Sequence, residues 1–339
     1  MLKLKEEKML NKMLENEDVG QRRVTDLYEE GIIKLGDEIP YIHSEGTYLS
    51  PTERNGCYDQ TFSTKGVEMK WQAIGIEEFS GERCLKLIAK KPVFQLNLRG
   101  AKGYVNGVEE LHKISQLFVT EKISQGARSI TIEDVNQLLD IEVDEKQRKI
   151  YQIGYSNDIN TSSNFLQLCK PITRYFTPES FLENKHATSQ VIHTAYTYNR
   201  NSIIGKEKEK EIIFLKNGSY WLASHEVNMD CFDFIANFGL GSVAYGKASR
   251  GSRLFSSQGY CYSDSFYVRP ILYMKPNVTL NILLREIYEN DKEKIQRELE
   301  DKRQEIGQME KELKEKMQEL RRMEKEEEKI IKKLEELSK

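Results

Sequence analysis

Apolar positions along the chain follow three rhythms. Leu2, Met9, Leu10, Met13 and Leu14, then Val24 and Leu27, recur at helical spacing on one side of a charged N-terminal segment. Further on the period shortens. Val67, Met69, Trp71 and Ala73, then Leu85 and Leu87, alternate as a half-buried sheet does, with Trp71 expected in the core. "VEMKWQAIGIEE" and "RCLKLIAKKPV" flank Phe79-Ser-Gly-Glu82, a glycine-bearing turn, and so predict a hairpin.

The third rhythm is a heptad. Ile295, Leu299, Ile306, Met309, Leu313, Leu320, Met323, Ile330, Leu334 and Leu337 fall at alternating spacings of four and three, with Lys302, Lys316 and Glu327 filling the remaining seam positions. Such a seam predicts a coiled coil that oligomerises or docks a helical partner. In a parallel dimer Glu298 faces Arg303 favourably, but Glu305 meets Glu310 and Glu319 meets Glu324. A trimer, an antiparallel pair and packing against the protein's own N-terminal helix therefore stay open, as does a single solvated helix.

Between these segments lie several element signals. Asn106 with Glu109 predicts a capped helix start, followed by Val108, Leu111, Ile114 and Phe118 at helical spacing. The glycines before it read as turns, since neither phosphate-loop nor dinucleotide spacing is present. Thr131 with Asp134 predicts a second capping box, with Ile130 stapled against Val135, and Pro178 marks another helix entry. "EIIFL" reads as a strand, followed by an Asn-Gly turn and a second short strand.

The stretch "SYWLAS" and the later "VRPILYMKP" frame a run rich in Tyr, Phe, Ser, Asn, Asp and Gly with no clean period. Rigid aromatics mixed with adaptable polar residues suit a recognition surface. The candidate ligand-binding residues are Glu226, Asn228, Asp230, Tyr245, Lys247, Arg250, Tyr260, Tyr262, Asp264 and Phe266, with about half of the aromatics in this run expected to pack the core instead.

Composition narrows the classes. The chain has 339 residues, 38% hydrophobic and 31% charged, with a net charge of −3 and the charges concentrated after Asn290. That balance argues against nucleic acid and anionic membrane as partners. Five scattered cysteines read as reduced thiols. The N-terminal stretch has no signal-peptide pattern, and no segment is apolar enough to span a bilayer. Synthesis in a cytoplasm is the expectation, with a phage particle as a second fitting location. The five histidines show no metal spacing, and no nucleophile elbow is present. No catalytic residue, cofactor or metal is expected.

"KWQAIGIE", "LNLRGAKGYVNGVEELHKI", "GARSITIEDVNQLL", "SYWLAS", "FGLGSV", "LFSSQG" and "VRPILYMKPN", in that order, resemble a domain family of unknown function from phages and prophages, over about residues 37–277. Its members look like relatives of the C-type-lectin and formylglycine-generating-enzyme folds. The resemblance implies an α+β, C-type-lectin-like domain of short strands and two helices supporting a variable binding face. It implies buried Trp221, Leu222, Val268, Ile271 and Leu272, and a structurally held Arg269. The cysteine-pair motif of the enzymes and the calcium loop of the lectins are both missing here. The expected layout is an N-terminal helical segment at 1–36, the lectin-like domain at 37–277 and the coiled-coil helix at 278–339. The expected function is phage-encoded recognition of a host-surface glycan or protein. The alternative is an intracellular anti-defence inhibitor that binds a bacterial immune protein.

Overall fold

The computed structural model of the chain describes residues 17–141, 151–156, 187–194, 198–216, 218–229, 236–244, 247–248, 252–256 and 261–337. The chain divides into two compact units, Met1–Leu284 and Arg285–Lys339. From Glu17 the elements are helices α1 (Glu17–Gly20) and α2 (Val24–Glu29), strand β1 (Glu38–Ile39), and strands β2 (Thr47–Ser50) and β3 (Gln60–Ser63) around the short helix α3 (Thr52–Asn55). Strands β4 (Trp71–Phe79), β5 (Glu82–Ala89) and β6 (Val93–Arg99) lead into helix α4 (Gly100–Gln116), strand β7 (Ser124–Ser129) and helix α5 (Ile132–Leu139). Strands β8 (Tyr151–Ser156), β9 (Ala187–Thr194) and β10 (Tyr198–Asn199) precede helix α6 (Glu207–Ile213). Strands β11 (Tyr220–Met229), β12 (Ala236–Ala244), β13 (Lys247–Ala248), β14 (Ser252–Ser256), β15 (Ser263–Val268) and β16 (Pro270–Met274) follow, then helix α7 (Leu280–Leu337).

The first unit is mixed α+β. One sheet runs β1-β4-β5-β16-β7; a larger one runs β10-β13-β12-β11-β15-β6, with β14 on β12 and the β8–β9 pair on β11. The two sheets share a corner. β5 pairs with β16 in the first and β6 with β15 in the second, so a two-stranded ribbon passes from one sheet to the other at residues 89–93 and 268–270. Strands that switch sheets need a fixed bend. Here Arg269, fully buried, donates from Nε to the Ala89 carbonyl at 3.0 Å and from Nη1 to the Tyr220 hydroxyl at 3.0 Å. The expected structural role of Arg269 is what the corner shows, and Trp221, Leu222, Val268, Ile271 and Leu272 are all buried.

The hairpin forms as expected, β4 meeting β5 through Phe79↔Glu82. Its burial differs from simple alternation, because both faces of the first sheet are covered. Leu85, Leu87 and Ala89 pack with Val24, Leu27, Trp71 and Phe118, while Cys84 and Ile88 pack under α5 and α6. Lys86 shares that second face and is buried. Its ammonium meets Asp134 at 2.5 Å and also Glu77, and Arg128 grips both Asp134 oxygens at 2.6 and 2.8 Å. Asp134 is also the capping-box partner of Thr131, as the spacing predicts.

His112 on α4 borders this cluster and accepts from the Ser129 amide through Nδ1 at 3.2 Å. Burial, reinforced by the Arg128 charge, lowers its pKa from 6.5 to about 4. The folded protein thus keeps His112 neutral where the unfolded chain takes up a proton. Its contribution is full above pH 6.5 and is lost as pH falls toward 4, a change of about 2–3 kcal/mol. Denaturation curves between those limits should show the loss in the natural chain. His112→Gln, which keeps an acceptor and cannot titrate, should remove that part of the slope.

Three expectations are corrected. Helix α4 starts at Gly100, not after Asn106, whose Nδ2 instead donates to the Arg54 and Lys102 carbonyls at 3.2 and 3.1 Å. The glycines read as turns let this helix sit close to the sheet: a Cβ on Gly107 would lie 2.6 Å from Leu240 Cδ1. "EIIFL" is no strand. Glu207 and Lys210 pair at i,i+3 on helix α6, which buries Ile212 and Ile213 at its end. The run after "SYWLAS" is not an irregular surface throughout, since β12, β13 and β14 extend the larger sheet there. The expected helix entry at Pro178 lies outside the described residues.

The N-terminal segment, from Glu17, belongs to the first unit rather than standing apart. Val24 donates to the Val278 carbonyl at 3.0 Å, and Arg23 bridges Thr279. In the second unit α7 continues without interruption through the heptads. Each described apolar seam residue is exposed, from Leu299 at 51% to Met309 at 67%. The long C-terminal helix is compatible with a coiled coil, and no helix among the described residues is long and apolar enough to cross a membrane.

Candidate functional site

The residues expected to form one face are spread out. Tyr262 is exposed just before β15, and Asp264 lies on it half-buried. Lys247 is exposed on β13, three strand positions away in the sheet, or about 14 Å. Glu226 and Asn228 lie on β11, paired in register with Gly239 and Asn237. Asp230, Tyr245, Arg250 and Tyr260 lie outside the described residues. Phe266 is half-buried and packs edge-on against Trp221 at 4.8 Å, on the side of the core that Val268 also joins.

Around Asp264 a site does assemble, from partners outside the expected segment. Cys57, Tyr58, Asn97, Arg99, Ser263 and Ser265 join Asp264 in lining an open cleft of about 430 Å³. Strand pairing places most of them. Ser263 stands opposite Arg99, Asp264 opposite Leu98 and Ser265 opposite Asn97, at the ends of β6 and β15. Leu96 and Leu98 point into the core while Asn97 and Arg99 alternate outward.

Tyr58 is brought in by the loop after α3. Buried Asn55 holds that loop, its Nδ2 donating to the Ser50 carbonyl and the Tyr58 carbonyl, both at 2.9 Å, while its Oδ1 accepts from the Cys57 amide at 2.7 Å. Gly56, at φ +77°, lets the loop lie against the Arg99 carbonyl, where any side chain would collide. The whole hairpin is tied down by buried Glu110 of α4, which accepts from the Tyr48 hydroxyl at 2.7 Å and from Arg54.

The polar groups are arranged before any ligand arrives. Gln60 pairs with both backbone groups of Asn97 at 2.9 Å, and the Asn97 Nδ2 donates to the Tyr58 hydroxyl at 2.8 Å. One Asp264 oxygen accepts from the Ser265 amide at 2.8 Å. Burial raises the Cys57 thiol, against the Arg99 charge, so it is held as the neutral thiol. Tyr58, the tyrosine that lines the cleft, is exposed.

Planar polar side chains beside an aromatic ring suit a hydroxyl-rich ligand or a polar protein loop. Among the described residues no cluster of His, Cys, Asp or Glu is large enough to hold a metal. The sequence signal for Tyr58, Asn97 and Arg99 was present in the alternating "VFQLNLR" and in the tyrosine beside a turn glycine, but the partnering of these distant segments was not. The chain matches no family model, no curated protein and no solved structure in the comparisons made.

Proposed function

We propose that the chain is a non-enzymatic recognition protein. The polar cleft at the ends of β6 and β15, lined by Tyr58, takes a hydroxyl-rich glycan or a polar protein loop, and α7 joins copies through its seam. The observation that carries this reading is the pre-ordered polar cleft, where Asn97 on β6 donates to the Tyr58 hydroxyl on the loop after α3 and Asp264 on β15 accepts from the Ser265 amide. Rigid placement of polar groups lowers the ordering cost of binding. Joining several such clefts raises avidity over one site by about 10²–10⁴.

The finer reading is a phage- or prophage-encoded protein with a C-type-lectin-like domain that recognises a host surface. What supports it is the ordered set of motifs quoted above. Such a protein is made in a cytoplasm and carried on the particle. A binding screen of the full chain against host-surface glycans and envelope proteins tests the reading. Tyr58→Ala together with Asp264→Ala should cost at least about tenfold in affinity while the melting temperature stays within a few degrees. Equal binding by that variant would remove the cleft from the account.

A further inference from the structure

A second cleft, of about 450 Å³, lies between helix α6 and the turn at Gly36, and it shares no lining residue with the first. We propose that it binds a small, free anion carrying two or more phosphate charges. Among the described residues its walls hold four lysines, Lys90, Lys91, Lys208 and Lys216, and a single carboxylate, Glu211. Two of the lysines are anchored. Lys208 donates to the Leu35 carbonyl at 3.2 Å, and Lys90 pairs with Glu38, which Lys70 also approaches at 3.3 Å. Glu38 is therefore already shared between two ammonium groups.

Lys91 and Lys216 differ. Both are exposed, and neither has an ion-pair partner among the described residues. They are held near one another by backbone rather than by charge. The turn at Gly218 leans on Pro92, so closely that a Cβ there would lie 3.3 Å from the proline Cγ. The fold thus gathers like charges around one concavity, which is unfavourable until a counter-charge enters. Ile212, buried, and half-buried Leu215 supply an apolar floor, which strengthens each electrostatic contact above it.

The chemistry of the ligand follows from the lining. Lysine ammoniums bind phosphate as point charges without demanding one geometry. With Glu38 shared by Lys90 and Lys70 and Glu211 in the wall, a singly charged ion would still leave net positive charge around the cleft. The volume exceeds that of a phosphate group, so the ligand has a body that lies on Ile212 and Leu215. Among the described residues no aromatic side chain lines the cleft, so they offer no platform on which a base would stack.

Calorimetric titration of the full chain with inorganic pyrophosphate tests this. One saturable site per chain is expected, weakening with added salt. The double variant Lys91→Ala, Lys216→Ala should bind at least about tenfold more weakly. Glu211→Gln should bind several-fold more tightly, and Asp264→Asn, in the other cleft, should bind as the natural chain does. None of the four substituted side chains is among the buried core residues, and a melting curve for each of the three variants confirms folding. Absence of saturable pyrophosphate binding would overturn the proposal, as would equal affinity of the folded double variant. Binding to phosphatidylglycerol vesicles without binding to pyrophosphate would also overturn it, by placing the phosphate on a lipid surface.

Discussion

Replacing Arg269 with alanine should lower the unfolding free energy by about 3–5 kcal/mol. The guanidinium occupies the corner where two strands cross between sheets, and its hydrogen bonds join β5, β11 and the β15–β16 junction. Burial lowers its pKa, and the Tyr220 hydroxyl and ring, the latter 4.9 Å away, oppose that shift. Alanine removes the buried charge, which by itself is favourable, but leaves a cavity of arginine size and an unpaired Ala89 carbonyl. Arg269→Met fills most of the space and separates the two effects. It should lose only about 1–3 kcal/mol, from the carbonyl left without a donor. Denaturant unfolding of both variants at unchanged m value checks the ordering. A methionine variant as unstable as the alanine one would assign the corner to charge rather than to packing.

Asp134→Ala should cost as much or more, about 3–5 kcal/mol from the ion cluster and about 1 from the helix cap. Lys86 is buried, and Arg128 directs both its donors at the same carboxylate, so alanine leaves two cations with only Glu77 to balance them. Burial pushes the Asp134 carboxyl up, but the hydrogen bonds and charges of Arg128 and Lys86 outweigh it and hold the group at about 2. Its folded pKa lies below the unfolded 3.8, so its contribution is full above that pH and is lost as pH falls toward 2. Asp134→Asn is the control. It retains an acceptor and removes the charge, so the difference between the variants in thermal unfolding at pH 7 reports the cap together with the amide's remaining contacts to Lys86 and Arg128 and its volume. Equal stability of Asp134→Asn and the natural chain would show the cluster to be energetically neutral.

Local patterns were legible where one rule governed them. The turn at Ser80-Gly81, the Thr131–Asp134 box and the heptads of α7 each follow from spacing within one segment. Patterns with two physical readings were not. Glycines that look like turns serve α4 as a close-packing face, because the spacing cannot show that Leu240 of a strand over a hundred residues later lies against Gly107. The apolar pair in "EIIFL" looks like a strand because the helix-forming Glu and Lys before it look merely solvated. Lys86 looks outward in an alternating strand because its partner, Asp134, comes from a different element.

The candidate site was half legible for the same reason. Asp264 was picked from composition, yet the cleft exists only because β6 and the Asn55 loop meet β15. Phe266 looked like part of the same surface until register turned it toward Trp221. Composition identifies which residues can recognise a ligand, while pairing decides which of them face it.

The central claim is that α7 joins copies of a recognition domain, and the mass in solution tests it most directly. Light scattering should be run on the full chain and on a variant carrying Leu299→Lys, Ile306→Lys and Leu313→Lys. These three seam positions are all exposed within one chain, so the first unit has no need of them. The account predicts a dimer or larger oligomer for the natural chain and a monomer for the variant, with the first unit folded in both. A natural chain that is monomeric at micromolar concentration, or a variant that stays assembled, would contradict it.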